Sequence, residues 1–214
     1  MIACISLIVV ICNLLYHIDI VIFLNSSKYN ITMKVWPLKN SILKNIPEKP
    51  SPGSFWEDRG DRYHCGIDLY APEGSDVVAI EEGIVVDIGI ATTPKKISYW
   101  NKTYYIIVKN ISGTFCKYAE LCVITPKKGD IIKAGRLIGK IGLVLNSQKI
   151  NKVSPKYIQK LKNKNPSMLH LELYLNDPIT SHDNYLGGNW FGYKKPNNLV
   201  DPTTYMKSIL TEVK

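Results

Sequence analysis

The run Met168-Leu169-His170-Leu171-Glu172-Leu173 constrains this chain more than any other stretch. Side chains on a strand alternate between two faces. Leu169, Leu171 and Leu173 therefore share one face, and Met168, His170 and Glu172 share the other. Such alternation reads as a half-buried β-strand. Its leucine face belongs to a hydrophobic core, while the opposite face turns an imidazole and a carboxylate toward a polar partner or a cleft. A lone His in that position is more often a satisfied structural residue than a ligand.

A second stretch changes that weighing. In Tyr63-His64-Cys65-Gly66-Ile67-Asp68-Leu69, a His and an Asp stand four positions apart around a Gly, at the start of another strand-like run. His64, Asp68 and His170 together offer two imidazoles and a carboxylate. That donor set suits a catalytic zinc with an open fourth position, one ion per chain. Zinc would bring the pKa of a water there toward ~7 and polarise a carbonyl. Glu172 would orient the His170 imidazole from behind, as outer carboxylates do. Cys65 reads as a pocket-wall residue rather than a ligand.

The remainder of the chain reads as a Gly-punctuated antiparallel β-fold with short connections. Runs rich in Val and Ile cover 76–90, with a bend at Gly83, and 104–109. A turn at 110–113 leads to a returning strand over 114–121. Gly135, Gly139 and Gly142 suit bends rather than helix. Residues 145–166 break the pattern. Ser154-Pro155 predicts a helix start, with Ser as N-cap and Pro first in the helix. This segment holds six lysines and no acid, which reads either as a solvated face or as a basic flap beside the site. The aromatics Trp190, Phe191 and Tyr193 would form a satellite cluster or line a groove, and a short capping helix begins after Asp201.

The expected organisation is an apolar segment over 1–32, an extended Pro-rich lead-in over 33–62, a β domain over 63–205 with the basic insertion 145–166, and a tail over 206–214. Residues 2–24 are long and apolar enough to span a bilayer. They read as a membrane anchor, as an uncleaved signal-like segment, or as an extension upstream of a start at Met33. The first two readings put the protein in the cell envelope, anchored or secreted, and the third in the cytoplasm. With 27 basic and 18 acidic side chains the net charge is +9, which favours anionic partners. The basic residues neither line one helix nor interleave with aromatics, which argues against nucleic acid. An odd number of cysteines, five, without a Cys-x-x-Cys pair argues against a disulfide framework or a Cys-rich zinc site.

The motifs, taken in order, resemble the lysostaphin/LytM family of zinc metallopeptidases, which cut peptides of bacterial peptidoglycan. The resemblance covers about Val35 to Tyr205. It rests on His64-Cys65-Gly66-Ile67-Asp68, Ala71-Pro72-Glu73-Gly74-Ser75, Tyr118-Ala119-Glu120-Leu121 and Leu169-His170-Leu171-Glu172. It implies a mainly β fold, a duplicated hybrid motif of antiparallel sheets in a sandwich or barrel-like arrangement, with a groove above the metal. It implies His64, Asp68 and His170 as ligands and a cell-wall or other peptide as substrate.

Two positions depart from the pattern. The family's two catalytic imidazoles fall on Glu120 and Met168. The resemblance thus implies either a zinc metalloendopeptidase with Glu120 as general base or extra ligand, or a catalytically impaired zinc module that binds peptidoglycan or regulates another hydrolase. The bland reading of Glu120 is a salt-bridged surface carboxylate. Met168 donates no hydrogen bond of any strength, so a second stabiliser would come from Tyr63, Arg62, His182 or Tyr118. A weaker likeness, of the 129–142 segment to lipoyl or biotinyl carrier hairpins, would make Lys140 an attachment site.

Overall fold

The alternating run at 168–174 forms the strand on which the sheet is organised. A computed structural model describes residues 33–39, 41, 44–164 and 166–211. Its strands are β1 (Tyr63–His64), β2 (Ile67–Tyr70), β3 (Asp76–Val78), β4 (Gly83–Thr92), β5 (Thr103–Asn110) and β6 (Phe115–Ile124). They continue with β7 (Ile131–Ile132), β8 (Leu137–Ile141), β9 (Met168–Tyr174), β10 (Tyr185–Leu186), β11 (Asn189–Trp190) and β12 (Leu199–Val200). The larger sheet runs β12-β9-β6-β5-β4-β7, with β2 added on β9 and the β8-β3 pair added on β6. A small sheet, β1-β11-β10, stands beside it, and every pairing is antiparallel. The mainly β, antiparallel architecture expected from the sequence is the one observed.

The leucine face of β9 is where the core sits. Leu169 and Leu171 are fully buried with Ile67, Ile106, Tyr118 and Leu121, and Leu173 is nearly so. A fully buried aliphatic or aromatic side chain contributes roughly 1.5–3 kcal/mol, so this face fixes the register. In that register Asp68 lies directly opposite His170, and Ala119 of β6 lies on the other side of His170. Tyr70 stands opposite Met168. The core alone thus aligns Asp68, Tyr70, Met168 and His170 on one side of the sheet.

The insertion does contain a short helix, Lys156–Leu161. It starts one residue later than the sequence predicts, with Pro155 as the flanking residue and no side-chain cap. The Ser154 hydroxyl instead accepts a bond from the Asn151 N–H at 3.2 Å. Ile158 of this helix joins a second small core with Tyr99, Trp100, Leu145 and Ile150. The chain's last helix, Pro202–Thr211, buries Met206 and Ile209. Residues 206–211 are therefore a packed element rather than the expected tail, because the sheet needs a cover over its apolar surface. Cys116 is buried as a small apolar residue would be, whereas Cys122 is exposed. Lys140 lies within β8, where its ammonium bonds Asp76 at 2.5 Å, and not on the exposed turn that an attachment site needs. Among the described residues no helix is long and apolar enough to cross a membrane. The apolar stretch 2–24, and every expectation placed on residues 1–32, lies outside the described residues.

Candidate metal centre

The three residues singled out as ligands come together, all buried. His64 ends β1, which pairs it with Asn189 of β11. Asp68 and His170 face each other across the β2–β9 pair. The Asp68 Oδ1 atom lies 3.0 Å from His64 Nε2 and 3.0 Å from His170 Nδ1, and the two ring nitrogens are 2.9 Å apart.

The outer side of each imidazole sets its tautomer. His64 Nδ1 lies 2.9 Å from the Ser54 carbonyl. A carbonyl only accepts, so Nδ1 carries the proton and Nε2 keeps its lone pair. His170 Nε2 lies 2.9 Å from Glu172 Oε1. Burial opposes ionisation of Glu172, but the Lys117 ammonium, His170 and the Tyr174 hydroxyl outweigh it and bring the carboxyl down to about 2. As a carboxylate it takes the Nε2 proton and leaves Nδ1 as the acceptor. Three acceptor atoms then face one another at about hydrogen-bond distance, an arrangement that holds only with a cation among them. Metal-free, that cation is a proton: burial works against His170, yet Asp68 and Glu172 raise it to about 9. Burial lowers His64 below its ordinary value. Burial also works against the Asp68 carboxylate, but His64, His170 and Arg59 hold it well below the usual range. Two imidazole nitrogens and a carboxylate oxygen, each backed by an outer partner, fit zinc, whose ligating histidines characteristically carry such partners.

Behind His170 lies a closed polar cluster. Tyr185 and Tyr174 donate to Glu172 at 2.6 and 2.5 Å. Lys117, 2% exposed, donates to Tyr185 and to the Ile179 carbonyl. The strand register puts Lys117 directly opposite Glu172, so alternation along 114–121 carried a signal for this partner that the sequence reading missed. Arg59 was missed as well. Its Nη2 binds Asp68 Oδ2 at 3.1 Å and its Nε binds Glu57 at 3.1 Å, so the polar loop before His64 serves a ligand directly. Gly188, with φ +75, lies against the His170 ring, where a Cβ would come within 2.6 Å of Nε2; only a glycine allows that approach.

A cleft of about 540 Å³ opens on Asp68 and His170. Glu120, Met168, Tyr70 and Arg62 line it, and so do Lys160 and Lys164 of the insertion. Glu120 reaches the cleft through an unusual backbone, φ +67, where β6 leaves β9 and takes up β8. It is half-buried, with no ion-pair partner among the described residues. Burial, then the Asp68 charge, pushes its carboxyl up to about 8. That is not a salt-bridged surface carboxylate.

Other candidates fall elsewhere. Tyr118 is fully buried on the core side, its hydroxyl accepting from the Ile80 N–H at 2.9 Å. Tyr63 stacks on Trp56 at 4.8 Å and does not line the cleft. His182 is exposed against Trp190. Cys65 sits in the main core rather than in a pocket wall, and burial pushes its thiol above the ordinary value.

The model of peptidase family M23 matches residues 62–179, a span that includes all three candidate ligands and Glu120. The chain belongs to peptidase family M23. No functionally curated protein matches. Among solved structures it is similar to the catalytic domain of lysostaphin from Staphylococcus simulans, at 20% identity and a TM-score of 0.47, covering 73% of this chain and 90% of that one. A variant of the prophage-encoded M23 protein EnpA from Enterococcus faecalis is 21% identical over 74% of this chain and 95% of its own, with a TM-score of 0.44. A zinc-containing peptidase from Vibrio cholerae is 21% identical over 66% of this chain and 36% of its own, at 0.43. This chain spans 52% of the lysostaphin chain solved in solution. The family assignment rests on the M23 match. In this M23 chain, the two places where the resemblance expects working imidazoles, Glu120 and Met168, both line the cleft.

Proposed function

We propose that this M23 chain is a zinc-dependent endopeptidase that hydrolyses amide bonds in peptidoglycan peptides. One observation carries the reading: three acceptor atoms 2.9–3.0 Å apart, each anchored from behind, open on a cleft that holds an unpaired carboxyl. His64 Nε2, Asp68 Oδ1 and His170 Nδ1 would hold the ion. Zinc, when bound, supplies Lewis acidity to a peptide carbonyl and to water at its open position. Ser54 and Glu172 keep both ring lone pairs pointed inward, and Arg59 neutralises the second oxygen of Asp68.

In its ionised form Glu120 takes the proton from the attacking water and returns it to the leaving amine; without the ion its carboxyl is pushed up to about 8, close enough to working pH for it to move a proton in both directions. Met168 offers no donor to the developing oxyanion. Tyr70, directly across the strand pair from Met168, lines the same cleft. Burial pushes its phenol up to about 12, so it stays a hydrogen-bond donor and stabilises the oxyanion in place of an imidazole. The apolar stretch 2–24 would keep the enzyme in the cell envelope, near such a substrate.

Metal analysis paired with digestion of purified cell walls tests this. One zinc per chain and release of new amino termini are expected of the native protein. Glu120→Gln should retain zinc and lose about 10²–10⁴-fold in rate. Unchanged turnover would remove Glu120 from the mechanism. One zinc without cleavage would leave a binding module instead.

A further inference from the structure

The cleft carries more positive charge than its metal centre uses. Arg59 is consumed by Glu57, Asp68 and Asn189, each at 3.1 Å. Arg62 donates to Asp61 at 2.8 and 2.7 Å and lies over the Phe191 and Tyr157 rings. Lys160 and Lys164 are different. Both line the cleft, both are exposed, and neither has an acidic partner within ion-pair distance among the described residues.

Six lysines and no acid occupy 145–166, yet only these two face the cleft. Lys149, Lys152 and Lys156 do not line it, and Lys162 is tied to the Ile150 carbonyl at 3.0 Å. Lys160 lies in the helix and Lys164 in the turn just after it, and two like charges on one cleft are relieved by an anion bound between them. Their mounting is firm, because Ile158 and Leu161 pack against Tyr99, Trp100 and Leu145. The same aromatic and aliphatic residues line the cleft together with the two lysines.

We propose that Lys160 and Lys164 form an anion subsite that receives a carboxylate of the bound peptide, with an apolar portion of that peptide against Trp100 and Leu145. The inference rests on the wall-peptide reading above and names the feature by which such a peptide is selected.

The test uses zinc-loaded Glu120→Gln protein, which holds its ligand without turning it over. The ligand is a single muropeptide purified from digested walls, used before and after its carboxylates are converted to amides with carbodiimide and ammonia. Calorimetric titration should show amidation weakening binding roughly five-fold, as two exposed ion pairs imply, with the difference shrinking at high salt. Lys160→Gln/Lys164→Gln should bind both forms alike, at the weaker value. Lys149→Gln/Lys152→Gln, an equal charge change away from the cleft, should behave as the parent. Equal affinity of the parent for both forms would overturn the subsite, as would an equal loss in the distal variant. Binding of neither form would overturn the wall-peptide reading along with it.

Discussion

At the scale of single residues, the centre depends on which nitrogen of each imidazole keeps its lone pair. The Ser54 carbonyl and the Glu172 carboxylate decide that from outside, on opposite ring nitrogens, Nδ1 of His64 and Nε2 of His170. The candidate ligand set, His64, Asp68 and His170, was legible in the sequence, and the structure brings these residues together. The tautomers were not legible, because Ser54, Lys117 and Tyr185 are brought in by folding. Tyr70 is a similar case. Its sequence neighbours gave no hint of a role, and the role proposed for it follows from its standing across from Met168. Removing a single oxyanion donor costs about 10²–10³ in kcat. Tyr70→Phe should therefore lower kcat by that order on wall peptides while KM and zinc content stay near the native values. A change confined to KM would make Tyr70 a substrate-binding residue instead.

At the scale of elements, β6 and β9 show alternation both holding and failing. On β9 the rule holds without interruption, so the face of His170 follows from its leucines. On β6 strict alternation would send Tyr118 and Glu120 to the same face. The positive φ of Glu120 breaks the rule where the strand changes partner, so Tyr118 enters the core and Glu120 the cleft. No local sequence signal marks that change, because it is imposed by the pairing of β8. The C-terminal helix makes a comparable point. Its Asp201 side chain accepts the Thr203 N–H at 2.8 Å, a cap readable in advance, but its reach to Thr211 follows from Met206 and Ile209 docking on the sheet. Met206→Ala should cost about 3 kcal/mol, lowering Tm by roughly 10 °C, while zinc stoichiometry stays at one per chain. Thermal unfolding monitored by circular dichroism checks the first expectation and metal analysis the second.

At the scale of the whole molecule, the three candidate ligands come from three strands and are joined across separations that chain entropy disfavours, so an ion that bound them only in the folded state would stabilise the entire domain. At a free zinc concentration 100 times Kd the gain is about 2.7 kcal/mol. Adding zinc to the chelator-treated protein should raise Tm by several degrees, and Asp68→Asn should abolish that rise without unfolding the metal-free protein. An equal rise in Asp68→Asn would place the ion elsewhere. Alternation and residue chemistry are local properties, and they were enough to establish the β class, the leucine face of β9 and the three candidate donor side chains. The sequence also marked 145–166 as a basic insertion. Folding alone sets the insertion as a cleft wall, brings Arg59 to Asp68 and Lys117 to Glu172, and puts Glu120 in the cleft while Tyr118 enters the core. Those outcomes depend on which strands pair and where pairing shifts, and that is set by burying apolar surface across the whole sheet rather than by any one stretch of chain.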